Sequence, residues 1–268
     1  MTQIFDSDSL WLTGLLFFSA IFGRYVLFSL GFWWLFNVSM KQQFTHRAVH
    51  TRPRKPGQDW REIGWSVLTS LIFTGMALAM IQAYNAGYSL IYTDFDAYPL
   101  VWYPFSILLV LFIHETYYYW LHRWMHRPGV YKLVHKTHHD SLTTSPWTAF
   151  SFHPTESTLQ AIIIPLLTFV IPLHLSAVGI ILFIMTVTSA INHLNTEIYP
   201  ANFNNHWLGR WLIGATHHSL HHTQFRFNYG LYFTFWDKWM HTESPDFHRL
   251  FKEKTKGMKS GSPEQVGE

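Results

Sequence analysis

The sequence predicts an all-α integral membrane protein, with about four transmembrane helices or helical hairpin arms and a cytoplasmic helical cap carrying clustered histidines. Three observations predict it. Hydrophobic residues make up 49% of the 268-residue chain and charged residues only 13%, about half the roughly 25% of a soluble domain. Four apolar stretches, approximately Leu10 to Phe36, Ile63 to Ala83, Pro99 to Leu121 and Leu159 to Ile191, reach or approach the roughly 20 residues that a helix needs to cross about 30 Å of hydrocarbon. Eighteen histidines outnumber the 16 carboxylates, an anomaly that needs a chemical explanation. The net charge of +3 and the lack of a basic run interleaved with aromatics exclude a nucleic-acid partner. With no cysteine in the chain, there is no disulfide framework, cysteine-held iron–sulfur cluster or thiolate haem. Any metal must be held by nitrogen or oxygen.

The first stretch is long and lacks a basic leading region, so it is expected to remain as an anchor and not as a cleaved signal. Arg24 interrupts it and reads as a snorkelling or packing residue with no assigned role. Between the first two stretches lie Lys41, Arg47, Arg52, Arg54, Lys55 and Arg61, whereas residues 84 to 98 carry no basic residue and hold Asp94 and Asp96. The positive-inside rule therefore places the first loop in the cytoplasm and the N-terminus outside. Alternation puts Arg123, Arg127, Lys132, Lys136 and the basic C-terminal region on the cytoplasmic side too. The fourth stretch has 33 residues, about 50 Å as one helix, and would deliver residue 192 to the wrong face. It must turn back, with Ile171 to Ser176 as the tip; a partly re-entrant hairpin and two full spans both fit. His174, at that tip, reads as interfacial. The chain divides into N-terminal anchor spans with a basic loop over 1–98, a region bearing the histidines over 99–250, and a tail over 251–268 whose composition predicts disorder.

Three clusters stand out: His122-Arg-Trp-Met-His126, His135-Lys-Thr-His138-His139 and His218-Ser-Leu-His221-His222. At about 100° per helical residue, each cluster aims its imidazoles one way. Neutral imidazole is the commonest nitrogen ligand, and adjacent turns give several ligands without a flexible loop. Eight imidazoles are too many for one zinc, so two metals are implied. A zinc-protease HExxH motif is absent, because Tyr118 stands where its second histidine would be. No Glu-x-x-His pair of the soluble di-iron carboxylate type is present.

The run His114-Glu-Thr-Tyr-Tyr-Tyr-Trp-Leu-His-Arg-Trp-Met-His126, the close second box, His153-Pro-Thr-Glu156, Asn192-His193, the third box and Asn228-Tyr-Gly-Leu-Tyr-Phe-Thr-Phe-Trp-Asp-Lys238 resemble the sterol desaturase and fatty acid hydroxylase superfamily, in particular its bacterial sterol-desaturase-like members. The similarity covers roughly residues 100 to 245. Only eight residues, 127 to 134, separate the first and second boxes, which favours the sterol desaturase branch over acyl-chain desaturases. The resemblance implies a membrane-bound non-haem di-iron oxygenase holding two ferrous ions. It would use dioxygen as co-substrate to hydroxylate or desaturate an unactivated carbon of a lipid, either sterol- or isoprenoid-like or a fatty acyl or ether lipid. It carries over as metal ligands His122, His126, His135, His138, His139, His218, His221 and His222, with His193 as the best match to a further family histidine. His217 and His114 stay open as ligands, with His114 favoured for a supporting role. One departure is His241, where many relatives have glycine before the threonine matched by Thr242.

A histidine cage leaves two ferrous ions with a high positive charge, which nearby carboxylates must moderate. Glu115, Asp140, Glu156, Glu197 and Asp237 lie close to the boxes in sequence, and Glu156 and Asp237 are the ones expected to accept a free imidazole N–H. The chain has no flavin or nicotinamide glycine fingerprint and no fused cytochrome segment. An external electron carrier is therefore expected, a b-type cytochrome or a ferredoxin with its reductase. The active site is expected on the cytoplasmic face of a multi-pass membrane protein. The competing reading from another class is a non-catalytic metal transporter or sensor. A transporter should place its ligands in mid-span, and the boxes sit at or beyond span ends.

Overall fold

The computed structural model describes residues 10–256. Its helices, in chain order, are α1 (Leu10–Trp34), α2 (Lys41–Phe44), α3 (Gln58–Asn85), α4 (Trp102–Met125), α5 (Val130–Val134), α6 (Lys136–His139), α7 (Pro154–Ala161), α8 (Ile163–Leu167), α9 (Leu175–Asn192), α10 (Ala215–Gln224), α11 (Phe235–Trp239) and α12 (Phe247–Thr255). The only sheet among the described residues joins β1 (Ile91–Tyr92) to β2 (Leu173–His174) in parallel. The protein is all-α, as its sequence predicts.

Three segments are long and apolar enough to cross a membrane: α1 with its π-helical extension (Leu10–Ser39), α3 and α9. Their packing surfaces are small and polar. Along α3, Glu62, Ser66, Thr69, Ser70 and Thr74 form a buried stripe at helical spacing, and α9 buries Ala177, Thr186, Ser189 and Ala190. Leu16, Leu27, Leu71, Leu108 and Phe183 point outward instead. Lipid tails are as apolar as leucine, so helices in a bilayer associate through small residues and hydrogen bonds and leave large apolar side chains on the lipid face.

The long helices gather their ends at two poles. At one, Ala48, beyond α1, bridges Thr196, beyond α9, and Gln58 at the start of α3 donates to the Thr143 carbonyl at 3.0 Å. The histidine-bearing ends of α4 and α9 lie at this pole, so the basic loop after α1 shares it with the boxes. At the far pole β1 meets β2, and His174 stacks on Phe95 at 3.9 Å. The fourth apolar stretch does turn back. Its first arm is the broken pair α7 and α8, its tip is β2, and only its second arm, α9, is one uninterrupted helix of 18 residues. Pro165 cannot donate within a helix, and the chain leaves α8 three residues later.

The expected disordered tail needs correction at its start. Residues 251–255 complete α12, whose Phe247 and Phe251 pack on Leu220 of α10. An apolar pair one turn apart gives this charged segment a buried face, which composition alone does not reveal. Residues 257–268 lie outside the described part of the chain.

Candidate metal centre

Nine buried or half-buried imidazoles converge at the near pole. His122 lies in the last turn of α4 and His126 caps it; His135 precedes α6, which carries His138 and His139. His193 caps α9, and α10 carries His218, His221 and His222. They form two groups that could each hold a metal ion: His122, His126, His135, His139 and His221, and His138, His193, His218 and His222. Within each group the facing nitrogens lie within 4.8 Å of one another. All nine sequence-predicted ligands are thus brought together. The grouping cuts across the boxes: the i, i+4 pairs 122/126, 135/139 and 218/222 each stay together, while His138 and His221, about 100° from their neighbours, cross to the other group.

Hydrogen bonding fixes the tautomers. A backbone carbonyl only accepts, so an Nδ1 facing one must carry the proton and leave a lone pair on Nε2. His122 Nδ1 donates to the Tyr229 carbonyl at 2.8 Å, His221 Nδ1 to that of Phe227 at 2.7 Å, His193 Nδ1 to that of Ser189 at 2.7 Å and His138 Nδ1 to that of Ser151 at 3.3 Å. His135 Nδ1 faces the Glu156 carboxylate at 2.8 Å. Yet His193 Nε2 lies 3.2 Å from His138 Nε2, and both of these rings carry their proton on Nδ1. Two lone pairs facing each other at this distance repel, and a cation placed among them removes the conflict. Protons cannot serve instead, because burial and the neighbouring imidazoles push His135, His138, His139, His218, His221 and His222 well below the usual histidine pKa. The donor set therefore fits a pair of cations with nitrogen preference.

Of the five carboxylates near the boxes, only Glu156 bonds a box imidazole; it also accepts from Gln160 at 2.9 Å. Asp237 departs from its expected part. Its oxygens accept from the Tyr229 and Gly230 amides, both at 2.9 Å, and from Thr242 Oγ1 at 2.8 Å, and its nearest imidazole nitrogen, on His217, is 3.9 Å away. It reaches His122 only through the backbone, by holding the residue whose carbonyl holds that ring. Two others pin backbone as well: Glu115 accepts from the Tyr232 amide at 2.7 Å and Glu197 from the Thr216 amide opening α10 at 3.1 Å, whereas Asp140 pairs with the Lys136 side chain. A Cβ on Gly230 would meet the Phe233 carbonyl at 2.6 Å and Glu115 Oε1 at 2.9 Å, so only glycine lets this loop lie against the carboxylate.

His217 and His114 lie outside both groups. His114 Nδ1 meets Tyr232 Oη at 3.2 Å; His217 is buried against Phe247 with neither ring nitrogen hydrogen-bonded. His241 adopts φ 53° in the turn that returns Thr242 to Asp237, the left-handed conformation that glycine takes most easily. The four carbonyls that orient imidazoles are invisible to sequence reasoning, since main-chain acceptors carry no side-chain signature.

A partly open cavity of about 120 Å³ extends from the centre into the helices, lined by Phe73, Met80, Ile164, Leu182 and Tyr118 among others. Of the nine converging histidines only His193 borders it.

The fatty acid hydroxylase family model matches residues 107–242. Among curated proteins, the chain is similar to Delta(7)-sterol 5(6)-desaturase ERG3B of Gibberella zeae, 29% identical over 82% of this chain and 69% of that one. Human lathosterol oxidase is 29% identical over 81% and 70% of the two chains. The probable Delta(7)-sterol 5(6)-desaturase of Neurospora crassa is 32% identical over 85% of this chain and 60% of its own length. No solved structure matches. Membrane-length helices closed at one pole by a histidine cluster, with relatives of this kind, define an oxidoreductase of the membrane. The chain belongs to the fatty acid hydroxylase family, within the sterol desaturase and fatty acid hydroxylase superfamily.

Proposed function

We propose that the nine imidazoles hold two ferrous ions, and that the enzyme uses dioxygen and two externally supplied electrons to hydroxylate or desaturate an unactivated carbon of a lipid. The observation that carries this reading is the convergence of nine imidazoles into two groups, with the Nε2 lone pairs of His193 and His138, whose tautomers backbone carbonyls set, facing each other at 3.2 Å. His122, His126, His135, His139 and His221 would hold one iron, and His138, His193, His218 and His222 the other. When bound, the irons supply dioxygen activation and hydrogen abstraction.

The chain's own residues do the rest. Carbonyls of Tyr229, Phe227, Ser151 and Ser189 keep four rings oriented, and Glu156 orients His135 while offsetting cationic charge. Burial alone raises Glu156 well above the usual carboxylate range; a cation on the other side of His135 acts in the opposite direction and favours the carboxylate. The apolar cavity wall excludes water and presents a lipid chain to the face of the centre that His193 borders. Both sterol-like and acyl-type lipids suit such a wall, and the relatives are named for reactions on sterols. The shared pole of the basic loop and the boxes supports a cytoplasmic active site, where a b-type cytochrome or a ferredoxin could deliver electrons. Ligands gathered at a helix pole and not along a pathway speak against a transporter.

The test is to purify the full chain in detergent, measure its iron, and compare lipid extracts of a deletion strain and its parent by mass spectrometry. The expected result is iron in the protein and a lipid in the parent that differs from its precursor by one added oxygen or two lost hydrogens. Unchanged lipids together with tight binding of another metal would overturn the proposal.

A further inference from the structure

Arg24 sits in the middle of α1, the only charged residue of a 25-residue apolar helix, and it lines the cavity beside Ile21. Its Nε is buried without a hydrogen-bond partner, and no acidic side chain among the described residues pairs with it. Such a charge in an apolar environment is costly unless something of opposite charge meets it. The location says where that something comes from. α1 and α9 run side by side with their C-terminal ends at the histidine pole, and Phe28 meets Phe183 edge to face at 5.4 Å. One helical turn further from that pole, Arg24 stands near the level of Val178 and Leu182, which also line the cavity. From Leu182 to His193 is about 16 Å of helix. The cavity thus has a cationic group toward one end and an imidazole of the proposed iron centre at the other.

We propose that Arg24 is the headgroup anchor of this cavity, and that its lipid carries an anionic oxygen group, a carboxylate or a phosphate. This inference rests on the reading of the cavity as the substrate site. A neutral sterol hydroxyl would offer one acceptor and leave the charge unbalanced, whereas a carboxylate or phosphate forms charge-assisted, often bidentate, bonds to a guanidinium. With the head at Arg24, the carbon presented to the centre is remote from the headgroup, which makes Arg24 a determinant of both lipid class and reacting position.

The experiment measures binding of palmitate, methyl palmitate, oleoyl lysophosphatidic acid and lathosterol to the purified full chain in dodecyl maltoside, for wild type, Arg24→Gln and Arg24→Lys. Palmitate or the lysophosphatidic acid should bind wild type about tenfold or more tighter than methyl palmitate, and the tighter of the two identifies the headgroup. Arg24→Gln should abolish that preference with methyl palmitate binding unchanged, which also reports that the variant is folded; Arg24→Lys should keep most of it. Equal affinity of wild type for palmitate, the phosphate lipid and methyl palmitate, or tighter binding of lathosterol than of either acid, overturns the proposal, as does an undiminished preference in Arg24→Gln. Because binding is read without turnover, a protein that holds no iron yet prefers acidic lipids through Arg24 would refute the oxygenase reading and leave the anchor standing.

Discussion

The five-histidine and four-histidine groups both draw on the second and third boxes, but the first adds both rings of the first box and the second adds His193, and they are supported differently. In the first, two rings are fixed by carbonyls and a third, His135, by the carboxylate of Glu156, while His139 Nδ1 has no protein partner. In the second, two rings are fixed by carbonyls, and the Nδ1 atoms of His218 and His222 have no protein partner. Only the second group borders the cavity, through His193. The difference separates two tasks. On the proposed reading, one metal position would have five imidazoles and a carboxylate to balance its charge, while the other would have four imidazoles, no carboxylate, and the cavity as its neighbour.

The largest expected effect comes from deleting a ring from either group. His138→Ala leaves three imidazoles in the second group, and His221→Ala leaves four in the first. Both should lose turnover by more than about 100-fold, beyond what loss of a supporting contact brings. Iron should fall further in His138→Ala, since its group starts with fewer ligands. Metal analysis beside a lipid assay decides this, and full iron content with full turnover in either variant would break the assignment.

Acid should affect the two groups alike, because three of the six most strongly shifted imidazoles belong to each. Their pKa values are depressed in the folded protein, so below about pH 6.5 the unfolded chain takes up protons that the folded chain refuses. Stability is therefore full above that pH and falls as pH drops through it, by up to about 1.4 kcal/mol per pH unit for each such histidine. The melting temperature of metal-free protein, followed from about pH 8 to pH 5, should bend downward near pH 6.5. A flat profile across that range would show that these rings are not held neutral.

Much of this centre was legible in the sequence, and what was not has a common physical origin. Eight of the nine rings stand out by box spacing and His193 by the family resemblance, all of them side-chain features, and the turn at Ile171 to Ser176 could be read because helix length demands it. Asp237 could not be placed, since its effect on His122 passes through the amide and carbonyl of Tyr229. Glu62 is a second case: a buried carboxylate that accepts from Arg54, Gln58, Ser141 and Thr148, tying α3 to the segment after the second box. Gln58 and Arg54 are near it in sequence, but nothing there announces Ser141 and Thr148. Arg24 was visible, but its meaning depends on a cavity that only the packed helices create.

A smaller effect distinguishes the direct carboxylate from the indirect one. Glu156→Gln keeps an acceptor for His135 but removes the charge, so iron affinity or turnover should fall by roughly 10 to 100 fold with little change in melting temperature. Asp237→Asn replaces one acceptor oxygen with a donor that cannot meet an amide N–H. It should destabilise the 228–230 loop by about 1 to 3 kcal/mol and disturb iron less than Glu156→Gln does. If Asp237→Asn lost more iron at unchanged stability, the relay through Tyr229 would be the wrong description.

The smallest effect is expected at His217, and it tests where the second group ends. His217 adjoins His218 in sequence, yet on α10 its ring turns away to pack edge to face on Phe247 at 5.2 Å. Both its nitrogens are buried without hydrogen bonds, and burial pushes its pKa down to about 3, so it stays neutral. A buried polar atom with no partner costs about 1 to 3 kcal/mol, so an aromatic ring without nitrogens should be tolerated there. His217→Phe is therefore expected to leave iron content and turnover unchanged and to hold or slightly raise the melting temperature. His218→Phe, one residue on, should lose metal. If instead His217→Phe lost iron as His218→Phe does, the four-histidine group would have a fifth member, and the contrast between the two metal positions would disappear.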